Sequence, residues 1–249
     1  MRVLQIWRYP VKSLQGERLD SLAASPQGLD GDRRYAIFDT ETGLGLTARR
    51  SPELLFASAR VRTDGSVEIT LPDGTVAAND SDLSGWLGRP VTLRSTREVV
   101  SRRYEVPTSF EDEEGAGWEA FDGSSGAFHD SGRANVSLVS LATMGEWDPH
   151  RFRTNLILDG ADEDRLVGIR IRIGDALLRV AMQIERCVMT TRPQPGGLAR
   201  DLDVLRTIHR ERGGCLAVGA QVVRPGCIRV GDTVEPLRGL VARLRSIRG

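Results

Sequence analysis

The chain has 249 residues, of which 40% are hydrophobic and 27% charged, so it is long enough for one large or two modest cores. Lysine plus arginine and aspartate plus glutamate number 34 each, which leaves no global field to recruit nucleic acid or a membrane surface. No stretch nears the roughly 20 apolar residues that span a bilayer, and the first apolar run is too short for a signal peptide. We therefore expect a cytoplasmic protein that binds neither nucleic acid nor a membrane.

The cysteine content limits the metal chemistry that the chain can support. Three cysteines, Cys187, Cys215 and Cys227, fit a reducing compartment better than a disulfide framework. They are too few for an iron–sulfur cluster held by four thiolates, and no Cys-x-x-Cys pair occurs. The three histidines lie in different segments, so the sequence contains no zinc-binding pattern.

The first hundred residues alternate short strand-like runs with turns that contain glycine. The predicted strands are Val3–Tyr9, Tyr35–Asp39, Val67–Leu71 and Val91–Arg94, with turns such as Thr-Asp-Gly at 63–65. A short helix before the last strand is predicted to be capped by Ser81 and Asp82 and to end at Gly88. This pattern predicts a small β-rich unit.

A change in composition marks the end of this unit. Residues 101–126 are acidic, rich in glycine and weakly periodic, which predicts an exposed loop between two units. The run Glu-Asp-Glu-Glu at 111–114 fits a solvated linker, with an acidic docking patch as the alternative.

The second unit begins near Ala134 and is also rich in strands. A strand at Asn135–Ser140 and a short helix precede a further strand over 151–158. Two hairpins are predicted, each turning at a Gly-Asp pair: Ile169–Ile173 with Ala176–Met182, and Cys227–Val230 with Thr233–Pro236.

A helix between these hairpins and a tail complete the predicted elements. Asp201 is expected to cap the helix, with Leu202, Leu205 and Ile208 along one side, and the tail is expected to form a weakly amphipathic packing helix. Taken together, the elements predict a mainly β protein (α+β) with two β-barrel-like units and a few short helices. We place the N-terminal unit at 1–100, the linker at 101–126, the second unit at 127–238 and the tail at 239–249.

Cationic groups in the first unit are suited to an anion. Lys12 and Ser13 follow the first strand, where an ammonium group and a hydroxyl can hold a phosphate. Arg33 and Arg34 alternate in direction as they enter the next strand, so at least one of them should face the side of Lys12.

Two segments of the second unit carry groups suited to a heterocycle and to a metal. Arg153 and Asn155 lie two residues apart in the predicted strand, so both should point to one face; they suit a heterocycle such as a pterin, or else form an interstrand hydrogen-bonded pair. Cys187 follows an apolar run, and the adjacent arginine and two threonines would favour the thiolate, which binds metals or attacks electrophiles. A small buried hydrophobe is the alternative for this cysteine.

Seven short motifs follow one another along the chain: Tyr-Pro-Val-Lys-Ser (9–13), Gly-Asp-Arg-Arg-Tyr (31–35), Leu-Thr-Ala-Arg (46–49), Arg-Phe-Arg-Thr-Asn (151–155), Ile-Gly-Asp (173–175), Arg-Cys-Val-Met-Thr-Thr (186–191) and Ile-Arg-Val-Gly-Asp (228–232). Their order and spacing resemble the MOSC family with its N-terminal β-barrel domain, over nearly the whole chain. The pattern is most similar to the mitochondrial amidoxime-reducing component and its bacterial counterparts.

The resemblance implies a molybdenum cofactor, Mo-molybdopterin, bound between the two units. Cys187 would then ligate molybdenum together with the dithiolene of the molybdopterin, which suits a soft thiolate. The other residues that the resemblance assigns to the cofactor are Lys12, Ser13 and Arg34 at its phosphate, Arg153 and Asn155 at its pterin, and Asp130, Ser131 and Thr190 along its lining. The implied activity is the two-electron reduction of N-hydroxylated or N-oxide-type small molecules, with electrons from a separate ferredoxin- or cytochrome-type protein.

Two departures from the family pattern leave details open. Arg-Pro-Gln-Pro-Gly-Gly-Leu at 192–198 replaces an Asp-Pro-x-Thr-Gly type of turn, and Gly132-Arg133 replaces a common Ser-Pro pair. Substrate preference and the contacts at 132–133 therefore stay open. Two alternatives to a reductase also remain: a sulfur carrier with a persulfide on Cys187, and a module that carries the finished cofactor without catalysis.

Overall fold

A computed structural model describes residues 1–99, 102–109 and 115–237 of the chain, which fold mainly into strands, as the sequence predicts. The predicted acidic run at 111–114 and the predicted tail helix at 239–249 lie outside the described residues. The α-helices are α1 (Asp80–Leu87), α2 (Leu141–Met144) and α3 (Leu202–Arg212). The strands are β1 (Val3–Arg8), β2 (Glu17–Leu19), β3 (Ser21–Ser25), β4 (Gly28–Leu29), β5 (Tyr35–Asp39), β6 (Ser58–Val61), β7 (Val67–Thr70), β8 (Val76–Ala77), β9 (Val91–Ser95), β10 (Arg103–Pro107), β11 (Trp118–Asp122), β12 (Val136–Ser140), β13 (Leu156–Leu158), β14 (Arg170–Ile173), β15 (Ala176–Glu185), β16 (Cys215–Arg224), β17 (Gly226–Arg229) and β18 (Val234–Leu237).

The largest sheet has eight strands in the order β18-β14-β15-β16-β12-β13-β1-β2. β1 pairs with β13 in antiparallel orientation, with Ile6 opposite Leu156, while β12 and β13 are parallel. Val3 and Ile6 are fully buried in the core of this sheet, and burying each such side chain contributes about 1.5–3 kcal/mol. Strand pairing therefore crosses residue 100, since β1 and β2 join a sheet built mainly from residues 136–237.

A second core lies inside the N-terminal part of the chain. Of the smaller sheets, β17-β3-β4 contributes Leu22 and Ile228 to the first core, and β10-β11 contributes Tyr104 to a separate small cluster. The sheets β5-β9 and β6-β7-β8 line the second core. Val11, Leu14 and Leu54 are fully buried there, and Met189 packs against the same cluster. Because Met189 comes two residues after Cys187, this contact holds the cysteine segment against the N-terminal part.

One predicted hairpin is confirmed and the other is wrong. β14 and β15 form a hairpin with Ile173 opposite Ala176, and Gly174 in the turn has a φ of 54°. β17 pairs instead with β3, and β18 pairs with β14. The Gly-Asp turn after β17 sets a bend in the chain, but the burial of Ile228 and Val234 in the main core decides which strands pair.

The helix ends follow ordinary capping chemistry with one correction. The side chain of Asn79, instead of Ser81 or Asp82, caps α1 by accepting from the N–H of Ser81 at 2.8 Å and of Asp82 at 3.2 Å. Gly88 ends α1 as predicted. No helix among the described residues is both apolar enough and long enough to cross a bilayer.

In α3, the capping residue is confirmed, and of the predicted apolar face only Ile208 is fully buried. Asp201 caps the helix by accepting from the N–H of Asp203 at 2.9 Å. Val204 and Ile208, four residues apart, form the buried face, whereas Leu202 is 41% exposed because it lies in the first turn, away from the core.

The strand predicted over 151–158 is shorter than expected. Residues Pro149–Arg151 form a 3₁₀ turn, and β13 begins only at Leu156. Asp148 accepts from the N–H of His150 at 2.8 Å, and Pro149 fixes its own φ, so local turn chemistry outweighs the strand-like composition. The expectation that Arg153 and Asn155 share one strand face is therefore wrong.

Candidate functional site

Cys187 follows the long strand β15 and begins a 3₁₀ turn at Val188–Thr191. Its thiol is free, and the residue is partly exposed. Its backbone oxygen accepts from the N–H of Thr190 at 3.1 Å and from the Thr190 hydroxyl at 3.0 Å. The predicted site residue Thr190 thus orders the turn that carries the cysteine.

A buried arginine fixes the segment that follows Cys187. The guanidinium group of Arg151 donates to the backbone oxygens of Thr190 and Arg192, both at 3.2 Å, and of Ala199 at 2.9 Å. A planar fork with several donors can join distant carbonyls in this way, where a lysine could not. Arg151 therefore clamps the cysteine segment to the turn before β13.

The residue before the cysteine connects it to the N-terminal part of the chain. Arg186 donates to the backbone oxygen of Phe152 at 3.0 Å and to the hydroxyl of Thr154 at 3.4 Å. The hydroxyl of Tyr9 donates to the backbone oxygen of Thr154 at 3.5 Å. Burial lowers the pKa of Arg186 to about 10, and the neighbouring thiol of Cys187 opposes that shift.

Tyr9 lies under two arginines. Its ring is 3% exposed, and the guanidinium carbons of Arg33 and Arg153 both lie 5.1 Å from the ring centre. Arg33 also pairs with the buried carboxylate of Asp32 at 2.5 Å and donates to the backbone oxygen of Arg153 at 3.3 Å. Burial lowers the pKa of Arg153 to about 10, and the charge of Arg33 adds to this effect. Burial raises the pKa of Tyr9.

Lys12 is a further cation near Arg33 and Arg153. The buried ammonium group of Lys12 pairs with Asp130 and donates to the backbone oxygen of Phe128 at 3.3 Å. It also lies 5.0 Å from the ring centre of Tyr104. The charge of Lys12 holds the pKa of Asp130 well below its usual range, although that carboxylate is 92% exposed.

These positive side chains form what we call the cation cluster, defined as Lys12, Arg33, Arg153 and Arg186. Asp130 and Asp32 neutralise the first two, whereas the described residues place no carboxylate within ion-pair distance of Arg153 or Arg186. The cluster therefore carries surplus positive charge, which is suited to an oxyanion.

The backbone near the cation cluster is strained. Ser13, Arg33 and Arg153 have φ values of 72°, 49° and 50°, a region that favours glycine. Only two other described residues besides glycine share it, Asp162 and Ala217. Strained backbone of this kind concentrates at binding and catalytic sites. The Ser13 hydroxyl accepts from the N–H of Ala48 at 2.9 Å, which anchors its loop.

Two of the predicted site residues, Arg34 and Asn155, contact protein groups outside the cation cluster. Arg34 pairs with Asp30 at 3.1 Å, and its side chain is 44% exposed, so Arg33 takes the place in the cluster that we expected of Arg34. Asn155 is 1% exposed; its side-chain oxygen accepts from the hydroxyl of Ser137 at 2.9 Å, and its amide donates to the backbone oxygen of Trp7 at 3.2 Å. Asn155 therefore ties β1, β12 and β13 together.

The loop that carries Asp130 also borders a cavity of about 380 Å³, lined in part by His129, Ser131 and Asn135. The Ser131 hydroxyl accepts from the N–H of Arg133 at 3.1 Å. Burial lowers the pKa of His129 to about 4, with a further contribution from Arg33. Its Nε2 atom is buried with no hydrogen-bond partner among the described residues.

Sequence reasoning missed several residues of this site. Tyr9 stands inside the motif that contains Lys12, so proximity in sequence was the available signal. Arg186 was expected only to favour the Cys187 thiolate, and its bonds to Phe152 and Thr154 were not foreseen. Tyr104 and His129 come from separate segments with no distinguishing pattern.

The described residues contain no group of three or more His, Cys, Asp or Glu side chains that could hold a metal ion. A metal at Cys187 would therefore need ligands supplied by a cofactor. The surplus positive charge and a free, partly exposed thiol fit an anionic, metal-carrying cofactor.

Comparison with known families covers most of the chain. Residues 1–101 match the family described as the MOSC N-terminal beta barrel domain, and residues 129–235 match the MOSC domain.

Relatives and solved structures show more distant similarity. The molybdenum cofactor sulfurases of Drosophila mojavensis and Drosophila grimshawi are 27% and 26% identical over 90% of this chain, which spans 32% of their length, about a third. The YUAD protein from Bacillus subtilis has a TM-score of 0.44 at 13% identity and 94% coverage of both chains. YiiM from Geobacillus stearothermophilus has a TM-score of 0.36 at 16% identity, covering 58% of this chain and 76% of its own.

Proposed function

Because the chain belongs to the MOSC proteins that carry an N-terminal MOSC β-barrel domain, we propose that it binds Mo-molybdopterin and that Cys187 is the protein ligand of the molybdenum. The observation that carries this proposal is the cation cluster, whose surplus charge lies next to a free cysteine. Arg186 belongs to that cluster and immediately precedes Cys187. The sulfurases to which the chain is similar are named for the same cofactor, which supports the association.

Different residues of the chain would bind different parts of the cofactor. Lys12, Arg33 and Arg153 would hold the anionic end of the cofactor, as charge-assisted donors do for phosphate. Arg151 and Arg186 would keep the segment of Cys187 in place through their bonds to backbone oxygens. Asp130, Ser131 and Thr190 are proposed to lie along the cofactor lining. Arg34 is left out because its side chain is 44% exposed and pairs with Asp30, and Asn155 because it is 1% exposed and bonded within the sheet.

We propose that the reaction is the reduction of an N-hydroxylated or N-oxide-type small molecule. For an N-hydroxylated substrate this consumes two electrons and two protons, breaks the N–O bond and releases water. The bound cofactor would supply the two-electron chemistry, and the protein would orient it and limit access to it. Electrons would come from a separate ferredoxin- or cytochrome-type protein.

The test is the turnover of an N-hydroxylated substrate with a reduced viologen dye as artificial electron donor. Protein from a molybdenum-replete host should convert the substrate to the amine-type product, and Cys187→Ala should lower the rate at least about 100-fold. Cys227→Ala is the matched control, since Cys227 lies on β17 opposite Ala23 and should leave the rate unchanged. Protein that holds the cofactor but turns over no such substrate would instead be a cofactor carrier.

A second candidate function follows from the name of the curated relatives. A sulfurase transfers sulfur, so Cys187 would instead carry a persulfide. Cyanide-labile sulfur that disappears in Cys187→Ala, in protein without molybdenum, would favour this function over the reductase.

A further inference from the structure

We propose that Tyr9 is a positioning residue whose ring holds Arg33 and Arg153 as a pair for one oxyanion, the phosphate group of the cofactor. This inference deepens the proposed function, because it says which residues would hold which part of the ligand. It also assigns the phosphate to Arg33 and Arg153 in place of Arg34, and gives the ring of Tyr9 a definite role.

The geometry favours the ring over the hydroxyl as the active part of Tyr9. Both guanidinium carbons lie 5.1 Å from the ring centre, within the range of a cation–π contact. The hydroxyl makes one long hydrogen bond, at 3.5 Å, to the backbone oxygen of Thr154. The ring also stacks with Trp7, with centres 6.4 Å apart and planes 18° apart. Tyr9 is 3% exposed and its backbone N–H donates to the Asp32 carboxylate at 2.7 Å, so burial and this backbone bond hold the ring against which both cations lie.

The guanidinium groups of Arg33 and Arg153 repel each other, since the charge of Arg33 helps to lower the pKa of Arg153, so their pairing needs other contacts to hold it. Arg33 is tied to Asp32 and to the backbone oxygen of Arg153. The electron-rich face of an aromatic ring attracts a cation, so the ring of Tyr9 offsets part of the repulsion between the guanidinium groups. Both residues also have positive φ, which shows that the fold holds them in this place at a cost in backbone strain.

Arg153 has unused binding capacity. Its guanidinium group has no acceptor and no carboxylate among the described residues, although burial is sufficient to lower its pKa. Arg153 is partly exposed, so its donors can reach a ligand, and a partly buried cation is stabilised by a bound anion. A phosphate oxygen pair matches the planar fork of one arginine, and a dianion matches two positive charges. A phosphate monoester fits this pair better than a single carboxylate.

The test measures binding of inorganic phosphate to the cofactor-free protein by calorimetry at low ionic strength. Tyr9→Phe should keep the affinity within about twofold of wild type, whereas Tyr9→Leu should weaken it about tenfold. Trp7→Leu is the matched control, because it removes the stacked neighbour but no cation contact, and its affinity should stay within about twofold.

A second pair of variants does not depend on the folding of Tyr9→Leu. Arg153→Met should weaken phosphate binding at least about tenfold, and Arg34→Met should leave it unchanged, since Arg34 pairs with Asp30. The inference is overturned if wild type binds no phosphate, if Tyr9→Phe loses as much affinity as Tyr9→Leu, or if Trp7→Leu or Arg34→Met matches the loss. Absence of molybdenum from the native protein would contradict the proposed function but would not change the phosphate-binding results.

Discussion

His129 is a partly buried imidazole between the cavity and the cation cluster. Burial and the charge of Arg33 lower its pKa from the usual 6.5 to about 4, while the carboxylates of Asp32 and Asp130 act in the opposite direction. The imidazole is therefore neutral at pH 7. Its Nε2 atom is buried without a partner among the described residues, so it marks a place where a small ligand or a water can add a hydrogen bond.

This lowered pKa makes stability depend on pH between about 6.5 and 4. The unfolded chain binds a proton at His129 below pH 6.5, whereas the folded imidazole stays neutral down to about pH 4. Unfolding thus takes up a proton in this window, and the free energy of unfolding falls as the pH is lowered, by up to about 3 kcal/mol from this group. His129→Gln should remove that part of the loss, as measured by urea unfolding at pH 7 and pH 4.5.

The control is His209→Gln, a change on the exposed side of α3. It should leave the loss between pH 7 and pH 4.5 as in wild type. Equal pH dependence in His129→Gln and His209→Gln would contradict the burial of a neutral imidazole at position 129.

At the scale of elements, the segment after Cys187 is held by contacts to both parts of the chain. Arg151 joins it to the turn before β13, and Met189 packs into the N-terminal core. The side-chain oxygen of Gln194 accepts from the amide of Gln15 at 2.9 Å, and both residues are buried. The unusual run at 192–198 therefore closes the cysteine segment onto the N-terminal part, which gives this departure from the family pattern a structural role.

Arg151→Met should destabilise the protein because it leaves three backbone oxygens without their donor. Hydrogen bonds to a charged group are worth about 1.5–3 kcal/mol each, but the oxygens can regain water, so we expect a loss on the order of 3 kcal/mol. Urea unfolding would measure it, and limited proteolysis should show earlier cleavage within 188–200.

Arg206→Met on α3 is the matched control, since that side chain is 70% exposed and its one ion pair within the described part of the chain is with Asp203. It should change the free energy of unfolding by no more than about 0.5 kcal/mol. A loss no larger in Arg151→Met than in this control would show that the hydrogen bonds of Arg151 do not stabilise the fold.

The sequence predicts elements well where local chemistry decides them. The β14–β15 hairpin depends on Gly174, and the start of α3 depends on the Asp201 side chain, so both are confirmed. The partner of β17 is β3, some 200 residues earlier, and turn residues carry no information about a partner at that distance. The 3₁₀ turn before β13 does not follow from the sequence pattern, because the apolar run that starts at Leu156 is strand-like while Asp148 and Pro149 act only locally.

At the scale of the whole molecule, the two MOSC domains share a sheet. β1 lies between β13 and β2, and Val3 and Ile6 fill the core beneath the strands of residues 136–237. A fragment of residues 127–237 should therefore not fold alone, because β13 would lose one of its two partner strands and the core would lose these side chains. Far-ultraviolet circular dichroism and cooperative urea unfolding test this.

Adding residues 1–101 to the fragment should restore structure if the missing strand is the cause. Full-length protein serves as the reference for both measurements. A cooperative unfolding transition in the isolated 127–237 fragment would contradict the shared core.

The candidate site lies where the N-terminal and C-terminal parts of the chain meet in the shared sheet. Contacts between segments so far apart in the sequence are only partly predictable from it. The motif order indicated that Lys12, Arg153 and Cys187 belong to one site, and the structure brings Lys12 and Arg153 together with Tyr9, Arg33 and Arg186. Strand alternation left Arg33 and Arg34 both open and the resemblance favoured Arg34, whereas in the structure Arg33, with a φ of 49°, is the one that lies in the cation cluster. The internal role of Asn155 depends on the junction of three strands, and no local pattern reports such a junction.

The central claim is that Cys187 ligates molybdenum, and X-ray absorption at the molybdenum edge tests it most directly. Protein from a molybdenum-replete host should contain molybdenum, and Cys187→Ser should either lose it or keep it with one sulfur neighbour fewer, while Cys227→Ser matches wild type. Wild-type protein without molybdenum, or a Cys187→Ser variant with the same metal content and the same number of sulfur neighbours, would contradict the claim.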